Sequence, residues 1–157
     1  MQAGTHPRVL GYLGRALSLE LSAVQQYMTQ ASLLSLWGQA AAAERFRLDT
    51  AEEMQHAQRL VEHMLLLGVA PAASQLTPVS VAADLVGLLR RNAEMEQRLI
   101  DHYGEASRFC ALIGDTANGH FFHRLSTEER LHGEQLQEWL QQLLGEQGAF
   151  VNQRATF

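Results

Sequence analysis

Apolar residues recur at alternating steps of three and four along four stretches of the chain, the spacing of one helix face packed against others. The first seam runs Leu10, Leu13, Leu17, Glu20, Val24, Tyr27, Ala31 and Leu34. Thr5 can cap this helix, Pro7 suits its opening turn, and Gly38 closes it just past Trp37. The second seam is Phe46, Asp49, Glu53, His56, Leu60, His63 and Leu67, closed by Gly68. The third is Leu85, Leu89, Asn92, Glu96, Leu99, Tyr103, Ala106, Cys110 and Ile113, ending at Gly114. After a cap at Asp115 or Thr116 the fourth follows as Phe122, Leu125, Glu129, His132, Leu136, Trp139 and Leu143, and nears its end at Gly145. Residues 146–157 then form a short final helix or a loose tail. The expectation is a single all-α domain: a four-helix bundle of two hairpins, 7–68 and 83–145, with that C-terminal segment.

Between the hairpins, residues 69–82 hold Pro71, Pro78 and several small or polar residues, and the period is lost. Fourteen extended residues reach about 45 Å, and a helix of about 27 residues is about 40 Å long. This stretch can therefore run the length of the bundle as a long crossover, making the second and third helices parallel.

Polar residues break each apolar seam near its middle, and they do so in register. Glu53 and His56 form one Glu-x-x-His, Glu129 and His132 another, and Glu20 and Glu96 each lie 33 residues before the motif glutamate. The triplet 20, 53, 56 thus returns as 96, 129, 132, displaced by 76. Tyr27, Gly38, Phe46, Leu60 and Leu67 repeat at the same offset as Tyr103, Gly114, Phe122, Leu136 and Leu143. Two hairpins related by a pseudo-two-fold axis would bring all six polar groups to that axis.

Residues three apart on a helix share a face, so each Glu-x-x-His offers an oxygen and a nitrogen to one point. One such motif is ordinarily a solvated face; two copies with two seam glutamates at a common offset are not. Buried carboxylates need compensating charge. The chain contains no lysine, and none of its arginines falls on a seam. Two divalent cations would balance four carboxylates. Oxygen-rich ligation with one imidazole per ion suits iron or manganese. One Glu from each of two helices plus Glu-x-x-His from the other two is the donor set by which bundles hold such a metal pair.

At 157 residues and 46% apolar, the chain can bury a core. A net charge of −5 and a pI near 5.8 speak against a nucleic-acid binder. One cysteine, Cys110, excludes an internal disulfide and a Cys-x-x-Cys site. The first residues show no secretory pattern and no run of 18 apolar residues occurs, so the expected location is cytoplasmic, away from membranes. Cys110 reads as a small core hydrophobe, and His63, His102, His120 and His123 as packing or surface residues.

Leu19-Glu20-Leu21, Gln26-Tyr27, Trp37-Gly38, Glu52-Glu53-Met54-Gln55-His56-Ala57, Glu96, and Glu128-Glu129 with His132 together resemble the bacterioferritin family of ferritin-like proteins. The likeness extends over nearly the whole chain. It implies a ferritin-like bundle and a ferroxidase centre within each subunit. Glu20, Glu53 and His56 would serve one iron and Glu96, Glu129 and His132 the other, with Glu53 and Glu129 bridging. Tyr27 would neighbour the metals, whereas Tyr103 is read as core packing. Met54 lies about 100° round the helix from Glu53 and would ligate a haem b shared between two subunits. The resemblance further implies oxidation of Fe2+ by O2 or peroxide, storage of ferric mineral in a homo-oligomeric shell of 24 subunits, and a ferredoxin-type reductase partner. The chain departs from relatives at Met28 and Arg47, where aromatic residues are common, and at Leu48, where some carry a histidine. Two other readings stay open: a haem-carrying or structural shell subunit with static metal, and a small di-iron peroxidase or oxygenase.

Overall fold

The structure, a computed structural model, describes residues 4–154. Four helices make up the fold: α1 (Pro7–Leu36), α2 (Ala40–Leu66), α3 (Leu85–Leu112) and α4 (Thr116–Arg154). Helices α1 and α2 pair as one hairpin and α3 and α4 as the other, with α1 also packed on α3. Among the described residues no helix is long and apolar enough to cross a membrane.

Three helix ends turn through glycine. Gly38, Gly68 and Gly114 have φ of 78°, 81° and 74°, left-handed values that a side chain would strain. At the first N-terminus the cap is His6 rather than Thr5: His6 Nδ1 accepts the Arg8 backbone N–H at 3.1 Å. The helix begins at Pro7, so the residue in contact with its first free N–H groups is the one directly before it. Asp115 caps α4, accepting the Asn118 N–H at 3.2 Å, and Asp84 caps α3 through Gly87 at 2.8 Å.

Helix α4 does not stop near Gly145. It continues to Arg154 as one 39-residue helix, with no break before a separate final segment. Gly145 and Gly148 keep negative φ, so each weakens the helix without turning it. The last three residues, 155–157, lie outside the described residues.

The segment between α2 and α3 climbs along α1. Ser18 Oγ accepts the Gln75 N–H at 3.1 Å, Ser22 Oγ the Thr77 N–H at 2.9 Å, and Gln26 Oε1 the Ser80 N–H at 3.2 Å. Gln30 then donates to the Ser80 carbonyl at 2.9 Å. These four positions on α1 are four apart and share one stripe, a polar rail for an extended strand. Rising beside α1, the crossover returns the chain to the end where α2 began, so α2 and α3 run in the same direction.

The apolar core is divided in two. One cluster gathers Leu13, Tyr12, Leu60, Leu99, Phe122 and Leu125 with their neighbours, and the other Leu34, Phe46, Leu88, Leu89 and Leu136. Between them lies a belt of buried polar residues.

Candidate metal centre

That belt contains all six residues singled out by the repeat. Glu20, Glu53 and Glu129 have no exposure, Glu96 1%, and His56 and His132 only 7% and 5%. Each occupies a seam position between apolar ones on its own helix, so burying the seam forces it inward. The two apolar clusters seal the belt above and below.

The six form two overlapping quartets. One atom from each of Glu20, Glu53, His56 and Glu129 can lie within 4.8 Å of the others, and the same holds for Glu53, Glu96, Glu129 and His132. Glu53 and Glu129 belong to both. The motifs also interlock: His56 Nδ1 lies closest to Glu129 Oε1, at 2.8 Å, and 3.4 Å from its own Glu53. His132 Nδ1 lies 3.0 Å from Glu53 Oε1 and 2.9 Å from Glu96 Oε1. The two histidines therefore lace α2 to α4 and face the centre with Nδ1.

The outer nitrogens of the histidines differ. His56 Nε2 is 3.9 Å from Glu128, whose carboxylate is held by Arg59 at 2.7 Å. His132 Nε2 lies 3.2 Å from Asp49 Oδ1, within ion-pair distance but outside hydrogen-bond geometry.

One oxygen of each buried glutamate has no partner: Oε2 of Glu20, Glu53, Glu96 and Glu129. Native interiors leave only a few such atoms per hundred residues, and here four of them, all carboxylate oxygens, belong to one cluster. The protons of the cluster are shared accordingly. Burial and the neighbouring carboxylates push Glu20 well above its usual range, and burial raises Glu96 to about 8. Burial acts the same way on Glu53, but hydrogen bonds from Glu20, His132 and His56 outweigh it and hold Glu53 at about 2. Burial opposes charge on His56 and His132, yet their carboxylate partners win and both imidazoles are pushed far up.

Tyr27 and Tyr103 are both fully buried against this cluster. Tyr27 donates to Glu96 Oε1 at 2.5 Å and Tyr103 to Glu20 Oε1 at 2.6 Å. Tyr103 therefore does more than pack, contrary to the reading from sequence. The 76-residue offset that relates it to Tyr27 was the available signal. Asp49 and Arg59, which flank the histidines, have no counterpart at that offset, whereas Glu128 repeats Glu52; which histidine each one meets depends on which helix faces which.

Met54 sits outside this group. It is 49% exposed on the outer side of α2, on a face shared at helical spacing with Val61 and Leu65, and Met28 and Leu48 are likewise exposed. Among the remaining candidates, His63 stacks on Phe121 with ring centres 3.8 Å apart and pairs with Asn118. His102 Nε2 lies 2.9 Å from the Tyr12 carbonyl, and His120 and His123 are exposed. Cys110 is buried, and burial raises its thiol to about 11.

Comparison with known proteins identifies the family and the fold. Residues 10–145 match the ferritin-like domain family. Bacterioferritin of Rhodobacter capsulatus is 32% identical over 125 residues, which cover 80% of this chain and 78% of that protein. Bacterioferritin of Brucella melitensis is 29% identical over 126 residues, again 80% and 78% of the two chains. A solved structure of the Rhodobacter capsulatus protein, with a metal-free dinuclear site and haem iron in a crystallographic special position, superposes with a TM-score of 0.84. It is 29% identical and covers 88% of this chain and 87% of its own.

Proposed function

The chain belongs to the bacterioferritin family of ferritin-like proteins, and from that premise we propose that it stores iron, oxidising Fe2+ at the buried carboxylate–imidazole cluster. The observation that carries this reading is the set of four unpartnered glutamate oxygens around two buried imidazoles. Two divalent cations would satisfy those oxygens and neutralise four carboxylates at once.

Each residue has a definite part in this reading. Glu20 with His56, and Glu96 with His132, would each hold one cation, and Glu53 and Glu129, members of both quartets, would serve both. Bridging carboxylates hold two cations about 3.5–4 Å apart. Each Fe2+ surrenders one electron, so a bound pair can reduce O2 and two protons to hydrogen peroxide, or peroxide and two protons to water. The imidazoles and carboxyl groups must shed protons before Fe2+ binds, and those protons are then at hand for the reduced oxygen. The apolar clusters on either side exclude bulk water. Ferric iron would collect as mineral inside a homo-oligomeric shell in the cytoplasm, the assembly that family membership supports.

Met54 suits a haem. Its side chain is half exposed, so its thioether is open to a group outside the fold, and Leu65 is exposed at helical spacing on the same face. Met54 of a second copy would hold the same haem from the other subunit.

A groove lined by both polar and apolar residues, among them Gln97, Arg130 and Glu134 beside Ala93 and Ile100, reaches Glu96. The test is aerobic addition of Fe2+ to metal-free protein, followed by ferric absorbance. The proposal expects several Fe2+ per chain to be oxidised well above the buffer rate, with the iron retained by the protein. Oxidation no faster than in buffer alone overturns it.

A further inference from the structure

We infer that Tyr103 is a positioning residue that sets Glu20 for cation binding, so that the two halves of the centre are held by matched tyrosines. The inference rests on the di-metal reading above and assigns to this chain's third helix a role that core packing does not require.

The geometry is reciprocal. Tyr27 on α1 donates to Glu96 on α3, while Tyr103 on α3 donates to Glu20 on α1. Each of these two glutamates is therefore gripped by the hairpin to which it does not belong. In both pairs the tyrosine occupies Oε1 and leaves Oε2 unpartnered. A carboxylate engaged through one oxygen loses most of its rotational freedom, and its second oxygen is offered in one direction. Packing alone would be met by phenylalanine, which fills the neighbouring buried position Phe122. The hydroxyl of Tyr103 is thus spent on Glu20.

Tyr103 also touches less of the centre than Tyr27. Tyr27 meets the His132 ring edge-on, with ring centres 6.2 Å apart, whereas Tyr103 packs on Phe122 and His102. Its influence on the centre passes through Glu20, which makes it separable by experiment.

Metal-free protein is titrated with Co2+, which does not oxidise under these conditions and reports its ligation by visible absorbance. Wild type is expected to take two Co2+ per chain. Tyr103→Phe keeps the ring, so the core retains its packing; one equivalent should bind as before and the other about 10- to 100-fold more weakly, the usual loss when a ligand's hydrogen-bond partner is removed. In a Glu20→Ala background the same substitution should have no further effect, and in a Glu96→Ala background its effect should persist. A Tyr103→Phe titration that superimposes on wild type overturns the inference. So does equal weakening with and without Glu20, which would mark Tyr103 as a packing residue. Wild type that binds no Co2+ overturns the reading of the centre itself, and this inference with it.

Discussion

Glu129→Gln keeps the volume of a fully buried side chain and removes its charge, which separates the needs of the cation pair from those of the fold. Glu129 belongs to both quartets and lies 2.8 Å from His56 Nδ1. An amide offers one oxygen and no negative charge, so neither cation position keeps its full set. Loss of one partner from a buried charge pair costs about 3 kcal/mol or more, equivalent to a site more than about a hundredfold weaker. Metal at about 100 times the wild-type Kd stabilises by about 2.7 kcal/mol per site, and in a chain of this size each kcal/mol raises Tm by about 2–4 °C. Wild type should therefore gain about 5–11 °C for each Co2+ bound. At the same concentration a hundredfold weaker site is half filled and yields about 0.4 kcal/mol, a shift of one to two degrees at most. Without metal the variant should itself melt below wild type, because His56 loses its nearest carboxylate at 2.8 Å and keeps only Glu53 at 3.4 Å and Glu20 at 3.5 Å; the quantity compared is therefore the gain in Tm that each protein shows on adding metal. The assay is thermal unfolding of metal-free protein at rising Co2+. A Glu129→Gln variant that gains as many degrees as wild type would refute the shared-bridge reasoning.

Two further outcomes follow from the same geometry. In metal-free protein Glu96 is raised to about 8, so the fold favours its protonated form, and the cost of ionising it grows as pH rises from 4.5 to about 8. The raised imidazoles of His56 and His132 act in the same direction: their favourable contribution is complete below 6.5 and fades as pH climbs towards their folded values. Metal-free protein should accordingly lose Tm between pH 5 and pH 9, while Co2+ affinity rises over the same range with proton release; a flat Co2+ affinity would count against these groups as ligands. Met54→Leu should abolish the haem Soret band of protein expressed with ample haem and leave the rate of Fe2+ oxidation unchanged, because Met54 faces away from the buried centre. An intact Soret band in that variant would assign haem ligation elsewhere.

Much of this molecule is legible in its sequence, for a local reason. On a helix, spacing alone decides which residues share a face, so Glu20, Glu53, His56, Glu96, Glu129 and His132 could be assigned to interior stripes from their positions among leucines. The internal repeat then implied that those stripes meet. What passes between elements was not legible. That His56 lies closest to Glu129, and that His132 sits nearer Glu53 and Glu96 than a reading of separate motifs suggests, depends on the axial register of α2 against α4. Packing of the two apolar clusters sets that register. The grip of Tyr103 on Glu20 and the rail of Ser18, Ser22, Gln26 and Gln30 under the crossover arise likewise from one helix or strand laid beside another. The course of α4 through Gly145 was decided by the φ that glycine takes, which its identity leaves free. The chain by itself determined which side chains are buried together; the tertiary structure decided which atom of each one faces which, because hydrogen bonds and ligand sets are formed at a tenth of the distance over which helical periodicity speaks.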